Sequence, residues 1–224
     1  MSVSFVAKQK NHWKSVSQRE LFIIFCFLAA AIVGWLFPAK SVGDMFWVSI
    51  FLFFVFPFLV VKFILKEPLK DFGLSEGNRK KGMASAALFA IAATLAMGFL
   101  IQIPKMKGQI SLLPGIAGSF PYFLGTELFV VPAIFLSREF FFRGFFQFGL
   151  EKRLGNAVIV LQAVLFSLLF IRSSWLEFGY AFFSSLAAGS IAKHSRSVYY
   201  SFAALWIISL VIDILVIRMA SRGM

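Results

Sequence analysis

Residues 120–150 read FPYFLGTELFVVPAIFLSREFFFRGFFQFGL, an apolar, phenylalanine-rich run interrupted by four charges, Glu127, Arg138, Glu139 and Arg143. As one straight helix it would reach roughly 46 Å at ~1.5 Å per residue, against a hydrocarbon core of ~30 Å. Such a segment must tilt, break near Pro132 or project from the bilayer. Outward from it, six more apolar runs are separated by charged or Pro/Gly-containing breaks: 21–38, 45–65, 83–103, 157–171, 176–192 and 198–217. The pattern predicts an all-α, polytopic membrane bundle of seven to eight transmembrane helices.

The composition agrees. Of 224 residues, 60% are hydrophobic, 14% are charged and 31 are phenylalanine. This excludes disordered, collagen-like and disulfide-scaffold classes, and a soluble domain of this size could not hide so much apolar surface. We read a basic N-terminal segment (1–19), one membrane domain (20–219) and a short tail (220–224). The first apolar run continues through Trp35-Leu36-Phe37-Pro38 without a small-residue cleavage pattern, so it reads as an uncleaved span. Cys26 is the only cysteine and lies inside that run, where it reads as a packing residue.

A net charge of +12 would suggest nucleic acid in a soluble protein, but here the cations cluster at span ends. With the N-terminus cytoplasmic, fourteen fall inside: Lys8, Lys10, Lys14, Arg19, Lys62, Lys66, Lys70, Arg79, Lys80, Lys81, Lys152, Arg153, Lys193 and Arg196. Six fall outside: Lys40, Lys105, Lys107, Arg172, Arg218 and Arg222. That bias orients the chain and favours anionic lipid headgroups as partners; nucleic acid is not expected. His12 and His194 have no spaced companion for a metal pair, so neither metal nor cofactor is expected. Trp13, Trp35, Trp47, Trp175, Tyr199 and Tyr200 suit an interfacial belt.

The charges left inside apolar runs each cost about 3 kcal/mol on insertion scales and therefore should face the protein interior. Glu139 and Arg143 are spaced i, i+4 with the acid first, the better order for an ion pair on one face. Arg138 points about 100° away and needs a partner from elsewhere. Glu127 and Asp213 lie towards the outer ends of their runs, within reach of water or Arg218.

The run Ser137-Arg138-Glu139-Phe140-Phe141-Phe142-Arg143-Gly144 resembles the Glu-Glu-x-x-x-Arg motif of the CPBP intramembrane proteases, the group that includes type II CAAX prenyl endopeptidases and bacteriocin-processing or immunity proteins. Glu139, Arg143 and Gly144 agree with it, and Arg138 replaces the first Glu. Similar wording runs through 149–155, 178–197 and, upstream, 72–82, so the resemblance covers roughly residues 70–215. The family's Phe-x-x-x-His motif aligns with Phe166 to Phe170, with Phe170 in the histidine's place. Its His-x-x-x-Asn motif aligns with Leu205 to Ser209, leaving Ser209 as the only polar replacement.

The resemblance implies a water activated by the first Glu and a His, with a second His and Asn stabilising the oxyanion. Independently, helix counting from the inner ends puts Arg138, Phe170, Leu205 and Ser209 at depths of about 18, 21, 12 and 18 Å, in one layer. A guanidinium has no acceptor lone pair and stays protonated, so Arg138 cannot be the base. The expected function is a pseudoprotease in a prokaryotic cell membrane, binding a transmembrane or lipidated polypeptide as a regulator, immunity or assembly factor. An active endopeptidase using Glu139, with Arg138 or Ser209 stabilising the anion, is the alternative. A transporter or channel subunit with Glu127, Arg138, Glu139 and Asp213 along a polar path is a third reading.

Overall fold

The computed structural model describes residues 17–37, 41–103, 116 and 118–222. His12, Trp13, Lys8, Lys10, Lys14, Pro38, Lys40, Lys105 and Lys107 lie outside the described residues. Among the described residues there is no strand, and the chain runs through α1 (Gln18–Leu36), α2 (Val42–Leu65), α3 (Arg79–Leu100), α4 (Phe120–Leu154), α5 (Ala157–Phe170), α6 (Trp175–Ser195) and α7 (Tyr199–Arg222). Every apolar run of the sequence falls in one of these helices.

Five of them, α1 to α4 and α7, are long and apolar enough to cross a membrane. The other two differ for separate reasons. Helix α5 is only about 21 Å long. Helix α6 has the length, but small and polar residues such as Ser184, Ser185, Gly189 and Ser195 lower its hydropathy, and all of these are buried. That face packs against other helices, while Trp175 and Phe183 on the same helix are exposed.

Helix starts are set by side-chain caps. Ser17 with Glu20, and Ser41 with Asp44, form reciprocal capping boxes; Asn78, Ser119 and Ser174 each accept a hydrogen bond from the third backbone N–H beyond them. These caps satisfy amides that would otherwise be orphaned at the helix ends.

Helix α4 occupies the centre, packed against α1, α2, α5, α6 and α7. It does not break at Pro132. A π-helical turn at Thr126–Val130 precedes the proline, and the wider hydrogen-bonding pattern carries the backbone past the missing N–H. A second π-helical stretch, Phe140–Phe148, is buried at all nine positions. At 35 unbroken residues the helix exceeds the hydrocarbon thickness, so it must tilt or project at its ends.

The phenylalanines of α4 build the core. Phe141 stacks on Phe27 of α1 at 4.5 Å between centroids and meets Phe53 of α2 tilted at 4.8 Å, while Phe142 meets Phe166 of α5 edge-on at 5.1 Å. Lipid is as apolar as these rings, so their contribution here is close packing and ring geometry, about 0.5–1.5 kcal/mol per pair. Phe25, Phe99, Phe129 and Phe183 face outward instead.

At one end of the bundle the 73–78 loop grips the α6–α7 turn: Asn78 N–H donates to the Ser195 carbonyl at 2.7 Å, and Val198 N–H to the Gly73 carbonyl at 3.0 Å. Gly77 has φ +51°, and a Cβ there would lie 2.0 Å from the Ser195 oxygen, so the grip requires glycine. Ion pairs stitch the same end: Arg19 to Glu67, Arg153 to Glu20, and both Lys193 and Arg196 to Glu151. Part of the positive charge at this end thus holds helices together. The Arg19 guanidinium holds the Glu67 carboxyl below the usual carboxylate range by hydrogen bonding to it.

Candidate functional site

Glu139 and Arg143 meet as their spacing predicts, 2.8 Å apart, and both are sealed from the surroundings at 1% and 0% exposure. Neither charge could be tolerated there alone. The second Glu139 oxygen accepts a 2.6 Å hydrogen bond from Ser201 Oγ on α7. Arg143 Nη2 donates to Ser185 Oγ on α6 at 2.7 Å, and its guanidinium lies 4.6 Å from the Phe166 ring centroid on α5. Ser185 Oγ donates to Gln162 Oε1 at 3.0 Å, and Gln162 Nε2 returns a bond to the Ser185 carbonyl at 2.9 Å. One further turn along α4, Gln147 Nε2 donates to the Gly189 carbonyl at 2.8 Å. A continuous buried polar network therefore joins α4 to α5, α6 and α7.

Beside it opens a cavity of about 470 Å³. Arg138, Phe170, Leu205 and Ser209 all line it, with Ile134 and Tyr180 among the other walls. The single layer reckoned from helix rise is thus a shared cavity. Glu139 also contributes to its wall, but its oxygens are directed to Arg143 and Ser201. Arg138 is the opposite case. Its Nε is buried without a hydrogen bond, and among the described residues no carboxylate pairs with it. The partner that the sequence demanded for Arg138 is not supplied by any described helix.

Glu127 and Asp213 differ from expectation. Glu127 is 1% exposed, so it does not reach water, and both of its carboxyl oxygens are buried without a hydrogen bond, while Asp213 lines the cavity. Trp206 Nε1–H closes this corner with a 2.9 Å bond to the Glu127 carbonyl. Cys26 is buried in the core, and His194 binds the Ser190 carbonyl one turn back on its own helix. Among the described residues no three His, Cys, Asp or Glu side chains converge as metal ligands.

Ser201, Ser185, Gln162 and Gln147 were not singled out by the sequence reading. The available signal was positional: Gln147 continues the 139–143 stripe by four residues, and Gln162 is an amide within an otherwise apolar helix, where a polar group must find a partner.

In comparison with known proteins, residues 117–211 match the family model described as type II CAAX prenyl endopeptidase Rce1-like, which is consistent with the CPBP resemblance. The match covers α4, α5, α6 and the first half of α7, the helices that build the network and most of the cavity. No curated protein and no solved structure gives a match.

Proposed function

We propose that this CPBP-type membrane protein is a pseudoprotease, in which the space belonging to hydrolysis has become a binding cavity for part of a membrane polypeptide or lipidated peptide, so that the chain acts as a regulator, immunity or assembly factor. The observation that carries this reading is the cavity wall itself. Arg138, Phe170 and Leu205 stand at the three positions where the motifs call for Glu, His and His, and all three face one space. None of them can accept a proton from water at neutral pH. Losing a general base alone costs ~10² to 10⁴ in rate, and losing the set costs more. Glu139 is the remaining carboxylate of the motif, and its engagement by Arg143 and Ser201 opposes a role as base.

The size of the cavity narrows what enters. At about 470 Å³ with mostly apolar walls, it suits part of a membrane polypeptide or a lipidated segment. The fourteen-to-six distribution of Lys and Arg supports a cytoplasmic N-terminus.

The test is peptide hydrolysis by the purified full chain in detergent, using CAAX-type and transmembrane peptides. The wild type is expected to leave both intact, and the triple replacement Arg138→Glu, Phe170→His, Leu205→His to restore part of the hydrolytic set. Cleavage by the wild type that Glu139→Gln abolishes would overturn the reading in favour of a glutamate-dependent endopeptidase.

A further inference from the structure

A second apolar groove, also about 470 Å³, runs between α3 and α6. Ala92, Ala93 and Ala96 of α3 face Gly179 and Phe183 of α6 across it. Met97, Leu176, Tyr180 and Ser184 line both this groove and the Arg138 cavity. The two spaces therefore adjoin across these four residues, an apolar slot beside a chamber whose cation, Arg138, pairs with no described carboxylate.

We infer that the two spaces together form a binding site for a single-chain amphiphile of the fatty-acid class, its carboxylate paired with Arg138 and its acyl tail lying between α3 and α6. The inference rests on the reading of the cavity as a binding site. Three physical arguments select this occupant. First, an unpaired guanidinium in apolar surroundings is matched by a planar oxyanion that takes its N–H donors in pairs. Second, one cation matches a monoanion, whereas a phosphate monoester near two negative charges would leave excess charge buried. Third, the slot offers hydrogen-bonding side chains only from Trp175, Tyr180 and Ser184, too few for the amides of an extended peptide, while an acyl chain has none to satisfy.

The acids on the cavity wall do not compete for Arg138. Glu139 is engaged by Arg143 and Ser201, Glu177 has a partner of its own, and Asp213 forms no ion pair with Arg138. Glu127 also lies eleven residues from Arg138 along α4, about 16 Å of rise. The anionic end of the cavity and its cationic site are thus separate layers.

Native mass spectrometry of the full chain, released from a neutral detergent, tests the site with palmitate, hexadecanol and an apolar peptide bearing a free C-terminus as probes. The wild type is expected to hold one palmitate and to bind hexadecanol about tenfold or more weakly, because the alcohol cannot form the charge-assisted pair. Arg138→Gln should weaken palmitate by a similar factor, Arg138→Lys should retain much of the binding, and Ala96→Phe should weaken palmitate and hexadecanol alike by filling the slot. A melting curve establishes that each variant is folded, and Ala96→Phe stands as an independent reading if Arg138→Gln is not. Equal binding of palmitate and hexadecanol, undiminished binding by folded Arg138→Gln, or binding of the peptide in place of palmitate would overturn the proposal. Absence of a palmitate adduct from a wild type that still leaves peptides uncut would remove this inference alone; peptide cleavage by the wild type would remove the binding-cavity reading beneath it.

Discussion

Replacing Arg143 with methionine should be among the most damaging single changes in the protein. The substitution keeps an unbranched, polarisable side chain against Phe166 but leaves Glu139 buried at 1% exposure without its counter-charge. Breaking a buried pair from one side costs about 3–5 kcal/mol, and losing a desolvated cation–π contact adds up to about 2 kcal/mol. Ser185 also loses a donor, although Gln162 still accepts from it. At ~2–4 °C per kcal/mol for a chain of this size, a loss of 4–6 kcal/mol corresponds to a fall of roughly 10–20 °C in the melting temperature, read by scanning fluorimetry in detergent. Adding Glu139→Gln removes the stranded charge, so the double variant should recover much of the loss and the cycle should give a coupling of about 2–3 kcal/mol. A single variant melting within ~3 °C of wild type, or two effects that simply add, would refute the idea that this pair joins the helices.

Ser201→Ala removes the 2.6 Å hydrogen bond to Glu139 and should cost about 1.5–3 kcal/mol in the same melting assay; an unchanged melting temperature would mean that α7 is not held through this contact. Gly77→Ala puts a Cβ 2.0 Å from the Ser195 carbonyl at positive φ, so it should cost more than ~1 kcal/mol and open the α6–α7 turn to proteolysis; wild-type protease resistance would count against that grip. The Arg19–Glu67 bridge predicts an acid-side loss of stability. Because the folded Glu67 carboxyl is held low, its contribution is complete above the ordinary value near ~4.3 and disappears as pH falls through the lowered one. Melting measured across this range should show a flatter acid limb in Arg19→Met, and identical limbs would exclude the bridge as the cause.

Periodicity and composition found every long helix because membrane helices are written as apolar runs, and the runs end where water begins. Helix ends were less legible. α3 starts at Arg79, four residues before the apolar run, and α4 continues to Leu154, four residues beyond it, because caps and charged last turns lie outside the apolar signal. The capping pairs Ser17 with Glu20 and Ser174 with Glu177 were readable at their i, i+3 spacing. The Glu139–Arg143 pair was legible because both partners lie on one helix, where spacing fixes distance. Ser201 and Ser185 were not, since their contacts depend on how α6 and α7 dock against α4. Helix rise placed Arg138, Phe170, Leu205 and Ser209 in one layer, whereas their common cavity and the adjoining slot between α3 and α6 needed the packed structure.

The Glu139–Arg143 knot bears on how such motifs should be interpreted. Half of the recognisable signature is a rivet through four helices, and that mechanical duty would persist in a chain that never cut a peptide bond. Its legibility therefore says that the scaffold is intact and says nothing about turnover. The informative position is its neighbour, Arg138, whose side chain enters the chamber and is free to differ without loosening the frame.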